Sequence, residues 1–160
     1  MADAPANDLR LRIDPLRQDQ IDQAYASLEL TGVPMSLAAW RRYAMDRIAA
    51  GGGRAGVLSL QCNRDYLHGF LGYEIVAVGS ERHMTVDLFR TVDYVSDNTA
   101  GSLMAGAEAI AAKQGCVAIH LALPDFSDAS IIALKPRSLA ILCQAGYAVD
   151  AIRLSKRLPS

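Results

Sequence analysis

The sequence predicts a single α/β domain with a central, mostly antiparallel sheet, one parallel βαβ unit and helices on both faces. Three observations carry this. First, apolar runs at residues 54–62, 66–78 and 83–94 are parted by the short polar breaks Asn63-Arg64-Asp65 and Gly79-Ser80-Glu81-Arg82, which suit hairpins. Second, a strand, a helical stripe and another strand follow one another from residue 83 to 123, and short joints make the two strands parallel. Third, the chain has 160 residues, 51% of them apolar and 21% charged. That length and balance bury a core without staples and exclude disorder for the bulk of the chain.

Taken in order, residues 1–8 read as a loose leader and 9–160 as the domain. Leu9, Leu11 and Ile13 alternate with Arg10, Arg12 and Asp14, a half-buried strand closed by Pro15. Ile21, Ala24, Tyr25 and Leu28 fall at helical spacing, and Gly32-Val33-Pro34 ends that helix. Ser36 caps a second helix with Leu37, Trp40, Ala44 and Ile48 on one stripe. The run Gly51-Gly52-Gly53 reads as its C-cap and a turn rather than a phosphate cradle. In the third apolar run Met84, Val86, Leu88 and Val92 alternate with Thr85, Asp87, Phe89 and Thr91.

Leu103, Met104, Ala107, Ile110 and Ala111 then make a helical stripe from about residue 99 to 114, closed by Gly115. Val117, Ile119, Leu121 and Leu123 form a strand ending at Pro124. Residues 125–135 carry no clear pattern. Pro136 opens a helix with Leu139, Ile141 and Leu142 that Gly146 ends. Residues 147–158 read as a last strand, with Ala148, Asp150, Ile152 and Leu154 on one face.

Charge and cysteine usage exclude several functions. Net charge is -1, with no basic stripe to hold nucleic acid. Cys62, Cys116 and Cys143 match neither a zinc pattern nor a disulfide framework, and no histidine pair has metal-ligand spacing. No signal peptide and no membrane-length apolar run is present, so the expectation is a cytoplasmic protein with no metal and no membrane partner.

The element order resembles the GNAT superfamily of acyl-CoA-dependent N-acyltransferases across nearly the whole chain, residues 9–158. Two stretches carry the local likeness. One is Phe89-Arg90-Thr91-Val92 followed by a polar turn and a helix; the other is Ala145-Gly146-Tyr147 leading into the last strand character. The resemblance implies acetyl-CoA as acyl donor and a small-molecule or protein amine as acceptor. It places the cofactor at Thr91, Val92, Asn98, Thr99, Ala100, Gly101 and Ser102. Physically, a helix start offers unpaired N–H groups and a positive dipole end, and small residues let phosphates approach. The family turn reads Arg or Gln, two residues, Gly, one residue, then Gly or Ala. Here Ser96 and Thr99 replace the first two of these and Gly101 matches the last. Asp97 adds an unfavourable charge, and Ser96, Asp97 and Asn98 also serve as ordinary N-cap residues.

Amine acylation needs a base and a proton donor. Asp87 is the candidate base, with an ordinary ion pair as its alternative, and Tyr94 is the candidate hydroxyl nearest the cofactor turn. Where the family commonly has a tyrosine acid, this chain has Leu142. His120 reads as a structural mid-strand histidine, and His68 and His83 point to nothing specific. Trp40, Tyr43 and Tyr25 lie where the resembled fold borders its acceptor pocket, with core packing as the first explanation for Trp40. The second reading is a non-catalytic domain of the same fold that binds acyl-CoA or a protein. A homodimer is an expectation of the fold alone.

Overall fold

The computed structural model describes residues 11–61, 67–92, 99–122, 140, 142–150 and 153–159. Among these, strands β1 (Arg12–Pro15), β2 (Ala55–Gln61), β3 (Leu67–Val78), β4 (Glu81–Thr91), β5 (Ala118–Ala122), β6 (Ala148–Asp150) and β7 (Arg153–Arg157) build one sheet. Its order is β1-β2-β3-β4-β5-β7-β6. Only β4 and β5 run parallel; the other neighbours are antiparallel. Helices α1 (Ile21–Leu30) and α2 (Leu37–Ala49) cover one face, and α3 (Thr99–Lys113) covers the other.

The helical stripes sit as their periodicity predicts. Ile21, Ala24 and Leu28 of α1 and Trp40 and Ala44 of α2 bury against Val57, Phe70 and Leu88 of the sheet. Ser36 caps α2 by accepting from the Ala39 N–H at 3.1 Å. On the opposite face Leu103, Met104, Ala107 and Ala111 of α3 bury against Leu58, Leu71, Met84, Val86 and Ile119. Gly51, Gly52 and Gly53 take positive φ of 59°, 62° and 74°, the turn that follows α2. No helix among the described residues is long and apolar enough to cross a membrane.

Three expectations are corrected. The β3–β4 hairpin is tighter than the four-residue break suggests: Val78 pairs with Glu81, so β4 starts at Glu81 and only Gly79-Ser80 turn. Residues 147–158 are not one strand but two, with Val149 opposite Leu154 and β7 between β5 and β6. A single long strand would leave β6 out of the sheet; pairing β6 with β7 gives its backbone groups partners.

The third correction bears on the site. The alternation of β4 breaks at a bulge: Gly72 pairs with Leu88 and Tyr73 with Val86, so Asp87 is the extra residue. Met84 and Val86 face α3, Leu88 faces α1 and α2, and Phe89 returns to the α3 side. The sequence pattern put Val86 and Leu88 on one face and Phe89 on the other. A one-residue insertion in the ladder inverts every side chain beyond it.

Candidate active site

The βαβ unit positions the candidate site. Among the described residues the β4–β5 ladder has four pairs and ends at Val86 and Leu121. Beyond that point β4 keeps its partner β3 through Thr91, and no described residue pairs with its other edge from Asp87 onward. The bulge therefore lies at a gap in the described pairing between two parallel strands. The Val92 N–H donates to His68 O at 2.8 Å, across to β3. Backbone groups alternate sides along a strand. Hence the N–H and C=O of Thr91, and those of Phe89, point away from β3 into the gap.

The first turn of α3 stands over this end of β4. Leu103 of α3 packs so closely on Gly69 that a Cβ there would lie 3.0 Å from Leu103 Cδ1, and Gly69 pairs with Thr91. Thr99 and Ala100 are buried; Gly101 and Ser102 are half-buried. Short side chains at a helix start suit an anionic ligand at this place. Asn98 and Tyr94 lie outside the described residues.

Asp87 is on the α1–α2 side of the gap, and its two oxygens are both engaged. The Tyr43 Oη donates to Asp87 Oδ1 at 2.5 Å, and Arg47 of α2 pairs with Asp87 Oδ2. Arg47 also stands 4.0 Å from Glu74 and over the Tyr43 ring, 4.9 Å from its centroid. Burial, then the Asp87 charge and the hydrogen bond to it, raise the Tyr43 phenol far above its ordinary value, with Glu74 adding to the shift. The cluster exists because position 72 is glycine. A Cβ there would sit 1.8 Å from Tyr43 Oη and 2.9 Å from Leu88 Cβ. Arg47 Nη1 has no hydrogen-bond partner among the described residues. Sequence reasoning missed Arg47; its signal was the i, i+4 spacing from Tyr43, on one face of α2.

A second polar group on the same face was also missed. Thr85 pairs with His120 in the β4–β5 ladder, and His120 pairs with Ser155 in the β5–β7 ladder. His83, two residues before Thr85, meets His120 at 2.7 Å. Only Glu81 and His83, two apart, are neighbours in sequence, so no pattern along the chain announced the group.

Leu142 is buried in the α3-side core and does no proton chemistry. Gly146 has φ 98°, and the Tyr147 N–H donates to Leu142 O, closing that helical turn. Tyr147 is buried; its hydroxyl donates to Glu108 at 2.9 Å, and Lys156 reaches the same carboxylate at 2.7 Å.

Solved structures show the same architecture. The chain matches an acetyltransferase of the GNAT family from Streptococcus pneumoniae with TM-score 0.69 at 10% identity, over 94% of this chain and 100% of that one. A GCN5-related glucosamine N-acetyltransferase region of a fungal multi-domain GH3 β-N-acetylglucosaminidase matches at 0.69 and 16% identity. That match covers 93% of this chain, which spans 18% of the fungal one. A chain of the NatC complex bound to Gag peptide and CoA matches at 0.68 and 12% identity, over 93% and 99% of the two chains. No protein-family model and no curated protein matches the sequence. The chain has the GNAT fold.

Proposed function

We propose that the protein is an N-acetyltransferase that moves an acetyl group from acetyl-CoA to a primary amine of a small molecule or a protein. The observation that carries this reading is the gap. The described β4–β5 ladder stops at Val86–Leu121, and the start of the 15-residue α3 stands over the far end of β4, near Thr91. The N–H groups at the start of α3, with Thr99, Ala100, Gly101 and Ser102 around them, would hold a pyrophosphate. A ligand anchored there would reach the polar side chains beyond α2 by running through the gap, past the N–H groups of Thr91 and Phe89. Such donors can hold a thioester oxygen. The donor group supplies the activated acyl carbon; the chain's own residues bind it and handle the amine's proton.

Asp87 stands at the mouth of the gap. With Arg47 and Tyr43 on its oxygens it is suited to attract and orient a cationic amine rather than to act as a bare base. Tyr94 is proposed as a hydroxyl near the cofactor turn. A cytoplasmic setting fits the free thiols Cys116 and Cys143.

One observation favours a second reading. The buried Leu142 leaves the fold without the phenol that the resemblance places there, which suits an acyl-CoA-binding module without turnover. The test is calorimetric titration with acetyl-CoA followed by a screen of primary amines for thiol release. Micromolar binding that Gly101→Arg abolishes, together with turnover on an amine, supports the enzyme. Binding without turnover supports the module. No binding up to millimolar acetyl-CoA rejects both.

A further inference from the structure

On the sheet face opposite α3, four side chains from three strands form one hydrogen-bonded line. Glu81 Oε2 meets His83 Nε2 at 3.1 Å, His83 Nδ1 meets His120 Nε2 at 2.7 Å, and His120 Nδ1 meets Ser155 Oγ at 2.7 Å. The two imidazole centroids are 5.0 Å apart with planes 19° from parallel. That separation reaches the sum of the N···N distance and the two centroid-to-nitrogen distances, the most it can be. The rings therefore meet edge to edge, nearly coplanar, in the geometry of an in-line hydrogen bond rather than of face stacking.

The partners fix the tautomers. A carboxylate only accepts, so His83 Nε2 carries a hydrogen. In the neutral pair His83 Nδ1 is then an acceptor, and His120 Nε2 donates to it. The remaining His120 nitrogen, Nδ1, accepts from the Ser155 hydroxyl. Within the line each donor meets an acceptor, and the Ser155 oxygen keeps lone pairs for another group. Such a line can pass one proton by reversing its inner bonds.

We propose that Glu81, His83, His120 and Ser155 form a proton relay that takes the proton from the acceptor amine, an assignment that rests on the acyl-transfer reading above. An N–H bond of the amine breaks and its proton goes to Ser155 Oγ. The original Ser155 proton goes to His120 Nδ1, and the His120 Nε2 proton goes to His83 Nδ1. The amine has lost one proton and Ser155 is again neutral. His83 is an imidazolium held by the Glu81 carboxylate, and nothing is oxidised or reduced. Glu81 is 41% exposed and 3.5 Å from Arg157, so the line ends in solvent, which also supplies the departing thiol's proton. Its inner residue His120 sits beside Thr85, one pair before the gap opens. Other charged side chains described on this face include Glu74 and Asp87, both beside Arg47 of α2, and Arg90, which donates to Thr31 O. Ser155 Oγ and Asp87 would then approach the amine from two strands.

Two readouts test it. In nitrogen-15 NMR of the ligand-free protein above neutral pH, His83 and His120 each carry their hydrogen on Nε2, with a slowly exchanging proton between the rings that His83→Asn removes. A neutral His120 protonated on Nδ1 overturns the relay, whatever the activity. In the acetyl-transfer assay, His120→Asn and Ser155→Ala lower kcat/KM by about 100-fold. Calorimetric binding of acetyl-CoA stays unchanged, and Ser155→Thr retains activity. Turnover that His120→Asn leaves untouched overturns the relay alone. No wild-type turnover on any amine, with acetyl-CoA bound, overturns the acyl-transfer reading and the relay's role with it.

Discussion

The two faces of the sheet are built from alternate residues of the same strands, yet they do different work. The α3 face is one apolar cluster running from β2 to β5, closed by Leu142 and Tyr147. The opposite face is apolar only under α1 and α2, where Trp40 packs edge-on to Phe70 and donates to Ile21 O at 2.8 Å. Beyond α2 it turns polar, with Glu74, Asp87, His83, His120 and Ser155. The difference teaches that both faces carry buried core, while the α1–α2 face also gathers the polar side chains that the proposed chemistry would use. The bulge at Asp87 lets one strand serve both: it keeps Phe89 in the α3 core while turning Asp87 and Leu88 to the other side.

That contrast can be broken or sharpened by substitution. The largest effect is expected where either face loses core volume. Trp40→Ala on one side should cost about 3–5 kcal/mol and Met104→Ala on the other about 2–5 kcal/mol, read from denaturant unfolding. Neither cost would be seen if the corresponding helix were only loosely seated.

Next comes Gly72→Ala. The added methyl collides with Tyr43 Oη and crowds Leu88, so a loss of about 1–3 kcal/mol is expected. Asp87 should also lose its phenol donor, which a lower amine affinity would report. A variant as stable as the wild type would mean that Tyr43 rests elsewhere.

The two buried phenols, one per face, make a smaller and pH-dependent comparison. Burial first, and a neighbouring carboxylate next, raise both Tyr43 and Tyr147. A raised folded value means that the folded state holds its proton where the unfolded chain releases it, near pH 10. Stability from these groups is therefore complete below about pH 10 and lost as pH rises further. Tyr43→Phe and Tyr147→Phe should each flatten part of the alkaline decline in melting temperature, and the double variant most of it. An unchanged alkaline slope in the double variant would show that other groups set it.

The smallest effect is expected at the surface. Asp22 is held below its usual range, first by its hydrogen bond to Arg41, at 2.7 Å, but both groups are solvent-exposed. Arg41→Ala should leave the melting temperature within error, since exposed ion pairs contribute little.

Much of the fold was legible because local pattern and tertiary packing agree. The period-3.6 stripes of α1, α2 and α3 name the residues that are buried, and the short breaks around β3 name its antiparallel neighbours. The parallel β4–β5 pair followed from the helix between them. Less of the site was legible. Asp87 was found as a carboxylate inside a strand, but Arg47 and Tyr43 hold it from 40 and 44 residues away. The line Glu81–His83–His120–Ser155 was missed because its inner contacts join residues 37 and 35 apart.

The sequence by itself determined the element types, their order and the residues of each helix core, because periodicity and turn residues act over a few positions. Only the tertiary structure decided where β4 bulges, how the last strand character splits into β6 and β7, and which polar side chains meet. Those depend on strand register, and register is set by the partner strand rather than by the strand itself.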